Sequence, residues 1–381
     1  MNDAYDRLPR DLHPGAWWLW ALMVAAAASR TTNPLLLLLV LGVVAVVVSA
    51  RRTDAPWARG FKYFLYLGLF VIALRVAFRA ILGGQYGPSA HVLFTLPEVD
   101  LPAAAAGITL GGPVTAEALL AATYDGLRLA TMLVCLGAAN ALASPKRMLT
   151  SLPGALYEVG MAVVVALSIA PQLIESILRV RRARRLRGQP PRGLRAVGSL
   201  LLPVLEDALD RSLQLAASMD SRGYGRRGTV SAAQRRRTGA LVIGGLLGIC
   251  AGLFGLLGGD VGSRRTGLVV FVGGAVVAVA GMVAGGRDVT RSRYRPAPWL
   301  LAEWLVVGSG VLCVVVTSAV GGYDPMQLVP SLAPLNWPAL PWLPAVAVLA
   351  AVAPAVLSPP VATPPRPATT RIPDRVGVDS G

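Results

Sequence analysis

Apolar residues in this chain occur in long blocks rather than in the short periods typical of soluble domains. The blocks cover about 16–29, 35–50, 61–82, 117–143, 239–258, 267–284, 300–319 and 343–357. Runs approaching 20 residues are long enough for an α-helix to cross a bilayer. Asn33 and Pro34 separate the first two runs with a turn, which predicts a helical hairpin. The pattern therefore predicts an all-α, polytopic membrane protein.

The pattern changes between residues 151 and 238. An apolar run at 156–170 is only about fifteen residues long and has basic segments on both sides, which indicates a partly buried or interfacial piece rather than a span. It continues into "PQLIESILRVRRARRLRG", where Ile174, Ile177, Leu178 and Arg181 follow the spacing of a helix face. We expect one helix that turns from apolar to basic.

A second amphipathic helix is predicted in "PVLEDALDRSLQLAASMDSRG". Pro203 suits the first turn of a helix, and Gly223 suits the position just after its last residue. Between them, one apolar stripe recurs at helical spacing, formed by Leu205, Leu209, Leu213 and Ala216. The two long helices of this region are therefore both amphipathic.

Both helices end with an arginine followed by a glycine, at Arg187–Gly188 and at Arg222–Gly223. One such arginine is explained by the negative end of the helix dipole and by the last carbonyls. Two copies on consecutive amphipathic helices favour a second explanation. A guanidinium at a helix tip is well suited to a bidentate bond with a carboxylate of a partner protein.

The charge distribution indicates the side of the membrane on which this region lies. The chain has a net charge of +16, and between residues 172 and 237 fifteen arginines face five acidic residues. Membrane proteins concentrate basic residues in cytoplasmic loops, so the insert is expected in the cytoplasm. Nucleic acid is not expected as a partner, because Tyr224 is the one aromatic residue in the insert.

These features divide the chain into four predicted segments. Residues 1–150 form N-terminal transmembrane helices, with a Gly- and Pro-rich loop from Gly83 to Pro113. Residues 151–238 hold the cytoplasmic amphipathic helices, and residues 239–358 form C-terminal transmembrane helices. Residues 359–381 are rich in proline and are predicted to be a disordered tail.

Few residues offer chemistry of their own. Lys62 and Lys146 are the two lysines, and neither follows a glycine, which excludes the phosphate-binding loop of common ATPases. The three cysteines lack metal-ligand spacing and there are only two histidines, so no bound metal or other cofactor is expected. The glycines of "VIGGLLGICAGLFGLLGG" lie in an apolar run and predict close helix packing. A membrane-embedded enzyme is disfavoured because no nucleophile, base or metal cluster is evident.

Charged residues inside apolar runs are the remaining candidates for a site. Asp125 and Arg128 are three residues apart on the fourth helix and are predicted to form an ion pair. Arg75 and Arg79 lie one turn apart near the end of the third helix, where snorkelling explains them. A structural pair is one interpretation of Asp125 and Arg128. A self-contained secondary transporter that uses them is the alternative function.

The tips of the two amphipathic helices resemble a known family, the transmembrane T component of energy-coupling factor transporters, also called CbiQ/EcfT-like proteins. In that family two cytoplasmic coupling helices each end in an Ala-Arg-Gly-like motif, which "RARRLRG" and "ASMDSRGYG" resemble. The resemblance also covers "HPGAWWLW", "YDGLRLATMLV", "SPKRMLTSLPG" and "ALSIAPQLIESI", from about His13 to Gly225. Leu186 stands where the family usually has a small residue, so Arg184, three residues before Arg187, is an alternative contact in the first motif.

The resemblance implies a function in import. The chain would be a multi-pass subunit of a prokaryotic cell membrane, with two cytoplasmic ATP-binding cassette subunits docked on its coupling helices. Arg187 and Arg222 would contact acidic residues of those ATPases, with Gly188 and Gly223 ending the helices. ATPase movements would pass to a small substrate-binding membrane subunit that takes up a vitamin or a transition-metal ion such as cobalt or nickel. The chain itself would have no active site, and its residues after about 240 extend beyond the resemblance.

Overall fold

The computed structural model describes residues 12–52, 60–83, 91–100, 109–150, 157–186, 194–223, 231–258, 261–287, 299–332 and 334–359. The chain divides into two compact units, which we call the first unit (Met1–Pro145 with Ala297–Gly381) and the second unit (Lys146–Pro296). The elements of the N-terminal part are α1 (Pro14–Ser29), α2 (Pro34–Arg51), α3 (Phe61–Leu82), β1 (Val92–Asp100), β2 (Thr109–Thr115), α4 (Ala116–Leu142) and α5 (Pro145–Thr150). They are followed by α6 (Tyr157–Leu186), α7 (Leu194–Ser221), α8 (Ala232–Leu257), α9 (Val261–Arg287), α10 (Leu301–Tyr323), α11 (Pro325–Leu328), α12 (Trp342–Ala350) and α13 (Ala353–Leu357).

The predicted polytopic, all-α class is confirmed. Seven helices in the described part of the chain are long and apolar enough to cross a membrane. Six of these spans lie in α2, α3, α4, α8, α9 and α10, and the seventh is Val159–Ala183 in α6. The apolar start of α6, which the sequence favours as an interfacial piece, is therefore part of a helix with the length and composition of a span.

The predicted turn between the first two helices is present, although α1 and α2 pack mainly against other helices rather than against each other. Pro34 occupies the first turn of α2, and the side chain of Asn33 accepts a hydrogen bond from the backbone N–H of Leu35. His13 acts in the same way for α1, where its Nδ1 accepts from the backbone N–H of Gly15. Side-chain caps satisfy backbone donors that helix starts leave unpaired.

The core of the first unit is apolar and is joined at one end by side-chain hydrogen bonds. Trp20 and Val306 are fully buried in it. Thr31 Oγ1 donates to the carbonyl of Leu328 at 2.7 Å. Asn33 Nδ2 donates to the carbonyl of Ala339 at 2.7 Å. The turn between α1 and α2 is thereby joined to the connection between α10 and α12.

At the opposite end of the first unit, two charged side chains join the helices. Glu303 accepts hydrogen bonds from the backbone N–H groups of His13 at 3.3 Å and of Leu300 at 3.0 Å. Arg51 Nη2 donates to the carbonyl of Ala355 at 2.8 Å. As a result, α10 runs parallel to α1, and the segment 342–357 runs alongside α2 from one end of the unit to the other.

Two small-residue contacts set the packing of α3 against α4. A Cβ placed on Gly68 would lie 3.2 Å from the Cβ of Ala130, and one placed on Gly126 would lie 3.1 Å from the Cα of Ile72. The two pairs run in opposite directions along the chain, so α3 and α4 are antiparallel. Close approach through small residues is a common way for membrane helices to associate.

Part of the predicted loop between α3 and α4 is a β-hairpin. Strands β1 and β2 pair antiparallel, with Val92 opposite Thr115 and Asp100 opposite Thr109. Gly83 ends α3 with a φ of 65°, and a Cβ there would overlap the carbonyl oxygen of Gly111. The glycines that indicate a loop in the sequence therefore permit a close approach of the strand to the helix end.

The second amphipathic helix begins earlier than predicted. α7 starts at Leu194, and Pro203 lies inside the helix rather than in its first turn. Residues 194–202 are mostly leucine, alanine and other residues that a helix accommodates. An interior proline removes one helical hydrogen bond and favours a kink, but here it does not end the helix.

The glycine-rich run of α8 packs against α9, as predicted. A Cβ on Gly248 would lie 3.0 Å from the Cα of Gly274, and a Cβ on Gly255 would lie 2.9 Å from the Cα of Gly267. These contacts recur along the length of both helices in antiparallel order. The glycines thus serve helix packing in a hairpin whose other faces carry exposed apolar side chains such as Phe254 and Val269.

Candidate partner-docking helices

The two amphipathic helices contact each other in the second unit. Ser176 of α6 is 3% exposed and donates a hydrogen bond from Oγ to Oδ2 of Asp207 at 2.7 Å. Arg211 of α7 donates from Nε to Oδ1 of the same aspartate at 3.1 Å. Val204 is buried in the same region. One carboxylate thus joins α6 to the middle of α7.

Asp207 is held in its charged form by this arrangement. The hydrogen bond from Ser176 is the largest cause that lowers the pKa of Asp207 below its ordinary value, followed by the hydrogen bond from Arg211. The positive charge of Arg179 on α6 acts in the same direction. Donors and cations near a carboxylate favour its ionised state, so this contact is strongest when Asp207 is charged.

The end of α7 has the geometry that the sequence predicts. Gly223 has a φ of 74°, in the left-handed region, and its N–H donates to the carbonyl of Asp220 at 2.9 Å. The N–H of Arg222 donates to the carbonyl of Met219 at 3.1 Å. The prediction that Gly223 ends the helix is confirmed. Arg222 lies in this turn with its side chain exposed.

The first motif is only partly described. α6 extends to Leu186, the side chain of which is 89% exposed. Arg184 lies in the last turn of α6, while Arg187 and Gly188 lie outside the described residues. The predicted end of this helix at Gly188 and the role of its arginines therefore stay predictions.

The predicted apolar stripe of α7 is exposed. Leu205, Leu209 and Leu213 are between 49% and 69% exposed, although they lie on one face of the helix. Leu202 extends the same face by one turn and is 73% exposed. A contiguous apolar surface of this kind marks contact with another protein or with lipid.

The intramembrane pair is present and has a third member. Arg128 Nη2 lies 3.4 Å from Asp125 Oδ1, as predicted for residues three apart on α4. Arg75 of α3, which the sequence explains by snorkelling, instead lies 4.0 Å from the other carboxylate oxygen of Asp125. The sequence misses this contact because it depends on the packing of α3 against α4. We call these three residues the charged triad.

The described residues hold no group of three or more histidine, cysteine, aspartate or glutamate side chains that could bind a metal ion. A shallow depression on α6 is lined by Glu175, Leu178, Arg179 and Arg182. It is open to solvent and has two cations for one carboxylate, which does not resemble an enclosed substrate site.

Comparison with known proteins gives two matches. The model of a family described as CbiQ, cobalt transport protein, matches residues 6–231. The chain is also 26% identical over 192 residues to the energy-coupling factor transporter transmembrane protein EcfT of Leuconostoc gelidum subsp. gasicomitatum. That alignment covers 47% of this chain and 66% of the relative, which is just under two thirds of the relative's length. No solved structure matches the chain.

Proposed function

The chain belongs to the CbiQ family of cobalt transport proteins, and from that premise we propose that it is the transmembrane energy-coupling subunit of an energy-coupling factor importer. It transmits the movements of two cytoplasmic ATP-binding cassette ATPases to a substrate-binding membrane subunit. The cargo is a vitamin or a transition-metal ion. The chain itself is non-catalytic in this proposal, because ATP hydrolysis belongs to its partners.

The observation that carries the proposal is the tip of α7. Gly223 adopts the left-handed conformation and Arg222 projects from the turn into solvent. An exposed guanidinium can donate two parallel hydrogen bonds to one carboxylate, which gives both strength and orientation. Arg222 is therefore assigned to an acidic residue of one ATPase. Arg187, or alternatively Arg184, has the same role at the end of α6.

The exposed stripe of α7 supports the second half of the proposal. Leu205, Leu209 and Leu213 are exposed on α7, and the helix is continuous from these leucines to the turn that holds Arg222. A rigid helix transmits a displacement at its tip along its whole length. A membrane subunit seated on the leucines would therefore move when an ATPase moves Arg222.

The topology of the first unit supports a cytoplasmic position for α6 and α7. α2 ends at Arg51, close to the basic residues Arg52, Arg59 and Lys62, which indicates the cytoplasmic side. α1 and α10 begin at that same end, and α4 ends there because it is antiparallel to α3. The second unit, which connects α4 to α10, thus leaves and re-enters the first unit on one side of the bilayer.

An even number of crossings is therefore needed between α4 and α10. α8 and α9 form an antiparallel pair and together contribute an even number. α7 carries four acidic residues and two arginines, and it is not among the helices with the composition of a span. A single crossing by α6 would leave α10 on the wrong side. This parity favours α6 and α7 lying together in the cytoplasm, although α6 is apolar enough to cross.

Co-purification from a membrane extract tests the proposal. The tagged chain should bring down an ATP-binding subunit, and the double variant Arg187→Glu, Arg222→Glu should lose both this subunit and substrate uptake. The matched control is Arg236→Glu with Arg237→Glu, which makes the same charge change at exposed arginines of the same insert. If the tip variant retains uptake, or if the control loses the ATPase equally, the proposed docking tips are wrong.

The charged triad favours a second candidate function, which the same experiment tests. A self-contained secondary transporter would use Asp125 and Arg128, which form an ion pair inside an apolar helix. In that case no ATPase would co-purify and Asp125→Asn would abolish uptake, while the tip variant would have no effect. The two functions thus predict opposite outcomes for one pair of variants.

A further inference from the structure

The charged triad lies deep in the apolar part of its helices. Arg75 is seven residues from the end of α3, which places its Cα about 10 Å from that end. Asp125 and Arg128 are nine and twelve residues after the start of α4, or about 13 Å and about 18 Å from it. The triad is therefore well below the level at which the helices meet lipid headgroups.

The triad is also exposed and has an excess of positive charge. The side chains of Arg75, Asp125 and Arg128 are 47%, 39% and 34% exposed. Two arginines share one carboxylate, which leaves one uncompensated positive charge. Arg128 already makes the shorter contact, at 3.4 Å, whereas Arg75 approaches Asp125 only to 4.0 Å. Arg75 has five N–H donors and engages few of them in the described part of the chain.

The surroundings of Arg75 are apolar and open. Gly68 is the one residue of α3 that is buried, and Leu74 and Phe78 beside Arg75 are 42% and 55% exposed. Hydrocarbon chains cannot solvate a guanidinium, and ionisable side chains within a bilayer are usually paired with another polar group. The guanidinium of Arg75 stays at the depth of Asp125, 4.0 Å from its carboxylate, and does not extend toward the headgroup phosphates at the helix end. A carboxylate on a neighbouring transmembrane helix lies at the right depth.

We propose that the charged triad is a docking site for a transmembrane helix of a partner subunit, which contributes a carboxylate to Arg75. This inference rests on the proposed function, in which the chain has a membrane-embedded substrate-binding partner. The partner's carboxylate completes a neutral cluster of two arginines and two acids, and apolar side chains around Phe78 pack against the same helix. The triad lies on α3 and α4 and the leucines Leu205, Leu209 and Leu213 lie on α7, so the triad adds a second contact for the same membrane partner.

The first test replaces Arg75 by leucine in the complete importer. This variant leaves Asp125 paired with Arg128, so the chain itself should fold and retain its ATPases, while the recovered membrane subunit should fall at least about tenfold. The matched control is Arg79→Leu, one turn nearer the helix end, which should retain both partners. If Arg75→Leu recovers the membrane subunit at the level of the control, the inference is wrong. If the unaltered chain recovers no ATPase, the proposed function is wrong instead.

The second test identifies the contact. A photoreactive benzoylphenylalanine in place of Phe78 should cross-link a membrane protein, and the same group at Tyr63, near the other end of α3, should not give that product. The cross-linked peptide locates the partner's membrane-embedded acid. Arg75→Glu alone, or replacement of the partner's acid by arginine alone, should abolish binding of the membrane subunit. The two changes made together exchange the charges and should restore that binding. Cross-linking to phospholipid alone, or the absence of rescue, would overturn the proposal.

Discussion

The turn at the end of α7 allows a quantitative test of how Arg222 is presented. Gly223 has a φ of 74°, and a left-handed conformation costs an ordinary L-residue about 1–2 kcal/mol. If docking requires this turn, Gly223→Val should weaken the binding of the ATPase pair by about 5- to 30-fold, the ratio that corresponds to that energy. Gly223→Asn adds a side chain similar in size to valine, but asparagine tolerates the left-handed region. The asparagine variant should therefore bind the ATPase pair with an affinity close to that of the unaltered chain.

The assay is titration of the purified ATPase pair onto the chain in lipid nanodiscs, with Arg222 unchanged in all variants. The expected order of affinity is glycine, then asparagine, then valine. Equal affinities for the valine variant and the unaltered chain would refute the reasoning, because the turn would then not position Arg222. Equal weakening by valine and asparagine would also refute it, because side-chain bulk at the tip would be responsible rather than φ.

Three further predictions concern packing and charge. Gly252→Leu should separate α8 from α9, because a Cβ there overlaps the backbone of Phe271. Gly244→Leu is the control, because a Cβ at Gly244 has no neighbouring atom within 4 Å. Thermal unfolding in detergent should show a lower melting temperature for the Gly252 variant only. Asp207 has a lowered pKa, so its contact with α6 stabilises the chain above the ordinary carboxyl pKa of about 4 and is lost as the pH falls through the folded value. Limited proteolysis across that range should show α6 and α7 separating in acid, and Asp207→Asn should be cleaved equally at every pH. Glu303→Ala should lower the free energy of unfolding by about 1–3 kcal/mol, because two backbone N–H groups lose their acceptor, and Glu303→Gln should lose less.

The sequence by itself determined the membrane class, the positions of most helices and the end of α7. These depend on local properties: the length of an apolar run, the capping side chain of Asn33 and the conformational freedom of Gly223. Each acts within a few residues along the chain. Its signal is therefore present in the one-dimensional pattern, and the amphipathic stripe of α7 is readable for the same reason.

Tertiary structure alone decided which distant residues meet. Arg75 reaches Asp125 only because Gly68 and Gly126 let α3 and α4 approach, and snorkelling is the natural explanation while α3 is considered alone. Glu303 contacts His13 across a sequence separation of 290 residues, which sets α10 parallel to α1. Such contacts depend on the packing of several helices at once, and no local pattern specifies them. They nevertheless determine that α4 ends and α10 begins at the same end of the first unit.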